Sequence, residues 1–191
     1  MIDLRVTFNA FVMALAIGYA TSAPAQEVLS EDPDVLLNRL GTLTAPEDAV
    51  EARRLSREIE ERWSHSGSAA MDLLLERGRD AIEAEDWPRA IAHLTALTDH
   101  APDWAAAWNL RATAFFLTDR YGPAISDIEQ ALILEPRHFG ALAGLGIIMD
   151  QLGEQEKALE AFRRAQQVFP AEENVNAAIE RLERELGDRA L

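Results

Sequence analysis

The residue types that could perform acid–base or metal chemistry in this chain of 191 residues are its histidines and carboxylates, because it contains no cysteine. The four histidines, His65, His93, His100 and His138, do not form an H-E-x-x-H motif or another metal-ligand spacing. His93 and His100 are the closest pair in sequence, and their separation on one predicted helix is too long for a tight metal pair. Without cysteine, disulfides, thiol catalysis and zinc–thiolate sites are also excluded. The sequence therefore predicts no metal site.

The carboxylates outnumber the basic residues, with 33 Asp and Glu against 18 Lys and Arg, for a formal charge of −15. No pair of them lies in an apolar stretch that would separate their pKa values for general acid–base catalysis. The sequence also lacks the G-x-x-x-x-G-K-[ST], G-x-G-x-x-G and G-x-S-x-G motifs. The glycines of GALAGLG, from Gly140, fall within a predicted helix and indicate close packing rather than phosphate binding. We therefore expect no catalytic residue and no cofactor.

The same charge balance limits the class of partner. Nucleic-acid binding needs a basic surface and anionic lipid attracts basic residues, so a charge of −15 argues against both. The simplest consequence of this charge is solubility, and it favours a basic or neutral protein partner.

The first 25 residues have the layout of a secretory signal peptide rather than of a folded element. A weakly basic start containing Arg5 precedes an apolar run from Phe8 to about Ala20. This run is shorter than the ~20 residues that span a bilayer comfortably, and Ala23 and Ala25 then provide an A-x-A cleavage site. We expect cleavage after Ala25 and a periplasmic mature chain that does not insert into the membrane. An uncleaved inner-membrane anchor is the alternative.

The rest of the chain is dominated by a repeat with a period of 34 residues, first visible in Pro102, Pro136 and Pro170. Other positions align at the same shift: Gly78, Ala112 and Gly146; Ala90, Ala124 and Ala158; Leu94, Ile128 and Phe162; Leu97, Ala131 and Ala165; Leu74, Trp108 and Leu142; Ala81, Phe115 and Met149. The small residues predict close approach between helices, and the bulky residues fill the spaces between them.

Each unit is predicted to contain two helices. In unit two, apolar residues follow helical spacing from Trp108 to Phe116 and again from Ala124 to Leu132. Pro123 lies near the first turn of the second helix, and Pro136 ends it because the residue before a proline is driven out of the helical region. One unit alone leaves its apolar faces uncovered, so the units are expected to stack into a solenoid.

This pattern resembles the tetratricopeptide repeat (TPR). Unit two carries its signature in Trp108, Ala112, Phe115, Tyr121, Ala124, Ala131 and Pro136. Unit three has Gln155 where an aromatic residue is usual, and unit one has Leu97 in place of the usual alanine. The resemblance covers about residues 71–172. It implies an all-α fold, a right-handed superhelical α-solenoid of helix–turn–helix repeats with N- and C-terminal capping helices.

The expected organisation follows from these boundaries. The three units are residues 71–104, 105–138 and 139–172, and residues 173–191 form a C-terminal capping helix. Residues 26–68 are an N-terminal helical cap, with a short helix at Asp34–Leu40 and a longer one from Pro46 to about Trp63. We expect this pair to cover the exposed end of unit one, and a degenerate extra repeat is the alternative.

In the TPR family the first helix of each unit lines a concave groove that holds peptides or partner helices. The matched positions give the candidate partner-binding residues Leu75, Arg79, Asn109, Thr113, Phe116, Ala143 and Ile147. An asparagine there can bond a peptide backbone and apolar residues can take its side chains; alternatively, the apolar ones are buried against neighbouring helices. The positions that clamp a C-terminal carboxylate in one TPR class hold Leu75, Arg79, Leu110, Gly140 and Gly144, which argues against a carboxylate-clamp co-chaperone.

Together these patterns favour an exported, non-enzymatic interaction module that holds a peptide or helix of another cell-envelope protein in its groove. A membrane-tethered subunit of an envelope assembly complex, with an uncleaved N-terminus, is the alternative. An enzyme with a site in the N-terminal helical pair or at the groove rim is less favoured.

Overall fold

The computed structural model describes residues 31–189, and the predicted signal peptide, residues 1–25, lies outside them. All regular structure in the described part is helical. The helices are α1 (Pro33–Leu40), α2 (Ala49–Trp63), α3 (Ala69–Glu83), α4 (Trp87–His100), α5 (Ala105–Phe116), α6 (Tyr121–Leu134), α7 (Phe139–Gln151), α8 (Gln155–Val168) and α9 (Glu173–Arg189). A 3₁₀ turn, Pro46–Asp48, leads into α2.

Three helical hairpins form the centre of the chain: α3 with α4, α5 with α6, and α7 with α8. The second helix of each hairpin packs on the helix that follows it, and the first helices α3, α5 and α7 are neighbours. The all-α repeat solenoid predicted from the period is therefore confirmed. The turns also repeat, because Glu85, Asp119 and Gly153 occupy left-handed backbone with φ of 54°, 57° and 76°. Each hairpin thus reverses through the same conformation, although only one of these residues is glycine.

Small residues of the repeat bring the two helices of a hairpin into direct contact. A Cβ atom built on Gly78 would lie 2.6 Å from the Leu94 side chain, and one built on Gly146 would lie 2.6 Å from the Phe162 ring. Both distances are far inside the optimal separation of carbon atoms, about 3.5–4.0 Å. This geometry confirms the close approach predicted from the spacing of the small residues.

A buried ion pair between Arg111 and Asp127 links the helices of unit two. Two parallel bonds of 2.7 and 2.8 Å join the guanidinium to the carboxylate, and the side chains are only 13% and 6% exposed. Arg111 also donates to the Thr98 hydroxyl at 2.7 Å, and its guanidinium lies 4.8 Å from the centre of the Trp108 ring. The pair therefore joins α4, α5 and α6.

The N-terminal pair α1–α2 does not lie where the sequence led us to expect. Its apolar residues form one buried cluster with the start of α7 and the segment that follows α8. The members of this cluster are Leu36, Leu37, Leu40, Ala52, Leu55, Ile59, Phe139 and Phe169. The expected position over the exposed end of unit one is therefore wrong, and the pair does not continue the repeat in front of α3. Phe139 and Phe169 explain why the pair packs on unit three, because the equivalent positions of unit two hold Ala105 and Glu135.

Helix α9 packs on α8, the second helix of the last hairpin. Val175, Ile179 and Leu182 are buried, and they pack with the apolar residues of α8 in one cluster. No helix between residues 31 and 189 is both long enough and apolar enough to cross a membrane.

Candidate functional site

Five of the seven candidate partner-binding residues line one hollow between α5 and α7. Asn109, Thr113 and Phe116 line it from α5, and Ala143 and Ile147 line it from α7. Helical spacing explains this convergence, because residues three and four apart share one face of a helix. The hollow has a volume of about 270 Å³, and Ile147 is 43% exposed there. We call this hollow the groove.

The groove is largely apolar, with Asn109 as its main polar side chain. Its remaining lining consists of Ala112, Leu117, Ile128, Gly140, Gly144 and Ile148. Within the described part of the chain the Asn109 amide makes no side-chain hydrogen bond, whereas the Thr113 hydroxyl donates to the Asn109 carbonyl at 3.1 Å. The arrangement offers apolar contact area together with one amide that can bond a peptide backbone.

The two candidate residues from unit one, Leu75 and Arg79, lie elsewhere. Leu75 is only 1% exposed and packs in the core between α3, α4 and α5, so it is not available to a partner. Its long apolar side chain is buried, whereas the matched Asn109 and Ala143 remain partly exposed. Arg79 is exposed and donates to the Ser64 hydroxyl at 2.6 Å, which ties α3 to the end of α2. Unit one thus contributes no lining residue to the groove.

A larger cavity adjoins the groove on the side of α9. It has a volume of about 560 Å³ and shares Gly140, Ala143 and Ile147 with the groove. We call it the α2 cavity, because α2 supplies one of its walls. Its other apolar lining residues are Phe139, Phe162, Ala165, Phe169, Ala171, Val175 and Ala178. Small side chains between buried aromatic rings leave the space open.

The α2 wall of this cavity consists of Arg53, Ser56 and Glu60. These residues are spaced three and four apart, so they form a stripe on one side of the helix. The adjacent side of α2 carries the apolar residues that pack onto Phe139 and Phe169. One helix therefore anchors itself in the core and presents polar side chains to the cavity.

Contacts along its length hold α2 across the repeats. Near its start, Arg53 pairs with Glu173 of α9 at 3.0 Å. At its end, the Trp63 carbonyl accepts a hydrogen bond from the Trp104 indole at 2.6 Å, and the Trp63 ring stacks on His138 with 4.5 Å between centroids. The helix thus runs from α9 back towards unit one, opposite to the order of the units.

His138 is the most strongly perturbed titratable group of the cavity region. Burial lowers the pKa of His138 from 6.5 to about 4. The ring accepts a hydrogen bond from the Ala141 amide at 3.2 Å through Nδ1, which caps the start of α7, and it stacks on Trp63. The displaced pKa thus has a structural cause. Between residues 31 and 189, no group of three or more His, Asp or Glu side chains is placed to hold a metal ion.

Three carboxylates line the α2 cavity, and two of them are engaged. Glu172 accepts a backbone N–H bond at 2.6 Å from the first turn of α9, and Glu173 pairs with Arg53 at 3.0 Å. Glu60 has no hydrogen-bond or ion-pair partner for its carboxylate in the part of the chain that the structure describes. Its enclosure by protein raises the pKa of Glu60, and the positive charge of Arg79 partly offsets this effect.

Comparison with known proteins agrees with this architecture. The model of a family described as tetratricopeptide repeat matches residues 75–132 and 118–173. A TPR repeat-containing protein of Rhizobium etli is 34% identical over 183 residues, which cover 91% of this chain and 90% of that protein. The chain belongs to the tetratricopeptide repeat family.

Two solved structures with low sequence identity share the fold. The first TPR domain of Spaghetti (RPAP3), bound to an HSP90 peptide, has a TM-score of 0.59 at 21% identity, covering 61% of this chain and 93% of that chain. The crystal structure of MamA protein has a TM-score of 0.58 at 20% identity, covering 81% of this chain and 82% of that chain. At these identities the TPR fold is what the proteins share.

Proposed function

We propose that this TPR protein is a non-catalytic interaction module that binds a peptide or helix of a partner protein in the groove between α5 and α7. The observation that carries the proposal is the convergence of Asn109, Thr113, Phe116, Ala143 and Ile147 on one open hollow. Apolar residues there take side chains, and the Asn109 amide is placed to bond a backbone. One structure of the same fold, RPAP3, is bound to a peptide, which supports a peptide as the partner.

We further propose that the protein works in the cell envelope. The support is the signal-like sequence of residues 1–25, with its apolar run and A-x-A site. N-terminal sequencing of the purified protein tests this directly. A mature start at Gln26 supports an exported chain, whereas retention of the apolar run from Phe8 supports the membrane-tethered alternative.

The groove is tested by photo-crosslinking in intact cells. A photoreactive residue at Asn109 is compared with one at Ile133, an exposed residue of α6 that does not line the groove. We expect a discrete crosslinked protein from position 109 that is absent from position 133 and is lost when Ile147→Asp is added. The same crosslinked species from both positions, unaffected by Ile147→Asp, would contradict binding in the groove.

A further inference from the structure

We infer that the α2 cavity receives a basic segment of the partner, with a large apolar side chain in the cavity and a neighbouring Lys or Arg on Glu60. This inference rests on the proposed function, because it names the chemistry of the partner that occupies the groove. It also assigns α2 as a wall of the binding surface rather than as a terminal cap.

The cavity is built to take an apolar group. Its volume of about 560 Å³ and its aromatic and alanine lining suit a large side chain. It adjoins the groove, because Gly140, Ala143 and Ile147 line both. A segment lying in the groove can therefore extend along α7 and place its next apolar residue in the cavity.

The charge at the cavity mouth selects a basic neighbour for that side chain. Among the lining residues, three carboxylates face one arginine, and that arginine is already paired with Glu173. Of these three carboxylates, Glu60 is the one whose carboxylate has no hydrogen-bond or ion-pair partner among residues 31–189. The residue is still exposed at the cavity mouth; partial burial raises the pKa of Glu60, and the charge of Arg79 offsets this in part. A neutral segment would bury this charge further at a cost, whereas an ammonium or guanidinium group compensates it. The formal charge of −15 attracts a basic segment over longer range.

Selection of short random peptides displayed on phage against the purified protein provides the test. The enriched peptides are synthesised, and their affinity is measured by fluorescence anisotropy for the wild type, Glu60→Gln, Glu61→Gln and Ile147→Asp. The Glu61 control removes the same charge from the adjacent position of α2, which does not line the cavity. Far-UV circular dichroism confirms that each variant is folded.

We expect the enriched peptides to carry Lys or Arg beside a large apolar residue. Their affinity should fall about tenfold in Glu60→Gln and less than about twofold in Glu61→Gln. Acidic or neutral peptides, or equal effects of the two variants, would overturn the inference.

The same measurements distinguish failure of this inference from failure of the proposed function. Peptides that lose affinity in Ile147→Asp but ignore Glu60→Gln bind in the groove and overturn only the inference about Glu60. No enrichment, or binding that ignores both Ile147→Asp and Glu60→Gln, overturns the proposed function as well. A concentration-dependent dimer that Glu60→Gln abolishes would show that a second copy of the chain is the occupant, and it would also overturn the inference.

Discussion

The structure predicts that acid destabilises the folded protein through protonation of His138. The ring caps α7 by accepting from the Ala141 amide and stacks on Trp63, so the folded protein holds it neutral. Burial lowers the pKa of His138 to about 4, whereas in the unfolded chain it returns to about 6.5. Protonation therefore favours the unfolded state. The contribution of neutral His138 to the unfolding free energy is present above about pH 6.5 and is lost as the pH falls towards about 4.

The size of the effect follows from the two pKa values of His138. Their difference corresponds to a loss of about 3 kcal/mol of unfolding free energy below about pH 4, and of about 2 kcal/mol at about pH 5. Carboxylates whose pKa is lowered by hydrogen bonds, such as Glu58 and Asp72, lose their contribution only as the pH falls below about 5. Glu60, whose pKa is raised, changes stability in the opposite direction as the pH falls. It is present in the wild type and in a His138 variant alike, so the difference between these two proteins from about pH 7 to about pH 5 isolates the histidine.

Urea unfolding of the wild type and His138→Asn across this window tests the prediction. Asparagine keeps a side-chain acceptor at the start of α7 but cannot be protonated. We expect the wild type to lose about 2 kcal/mol between about pH 7 and about pH 5, and the variant to lose little. The variant is also expected to be about 1 kcal/mol less stable at neutral pH, because the ring stack on Trp63 is lost. Parallel losses in the two proteins would refute the reasoning.

Three further predictions are checked by chemical denaturation. Gly146→Ala is expected to lower the unfolding free energy by about 1–3 kcal/mol, because the added methyl group meets an aromatic ring. Gly122→Ala is the control and should be neutral or stabilising, because a methyl group there has no neighbour. Equal effects of the two variants would contradict the interlocked packing. Glu85→Gly is expected to raise the unfolding free energy by about 0.5–1 kcal/mol, because its φ of 54° suits glycine; a loss of stability would count against it. Asp127→Asn is expected to cost about 3 kcal/mol by leaving a buried arginine without its counter-charge, and the exposed Glu51→Gln should have little effect.

The period of 34 residues predicted most of the fold, because the residues that recur are those that make the contacts between helices. Gly78 and Gly146 recur because a side chain at either position would collide with the facing helix. The same regularity placed Asn109 with Ala143, and Thr113 with Ile147, on one hollow, because each pair occupies matched positions of neighbouring units. These features depend on local spacing, which a single sequence displays.

Two features that the sequence did not reveal, the position of α2 and its role as a cavity wall, depend on contacts outside the repeat. The position of α2 depends on Phe139 and Phe169, which have no aromatic equivalents in unit two. No period relates α2 to the groove, so its polar stripe with Glu60 could not be placed beside the groove from the sequence. The ion pair of Arg111 was also missed, since charged residues within a repeat usually indicate a solvated face.

The affinity of the crosslinked partner for the double variant Phe116→Asp/Ile147→Asp tests the central claim most directly. Isothermal titration calorimetry would compare this variant with the wild type and with Ile133→Asp, which alters an exposed residue of α6 outside the groove. If the groove binds the partner, affinity falls at least about tenfold in the double variant, because apolar contacts are replaced by charges that must be desolvated, and Ile133→Asp binds as the wild type does. Unchanged affinity of a folded double variant, or a loss confined to Ile133→Asp, would contradict the groove as the binding surface.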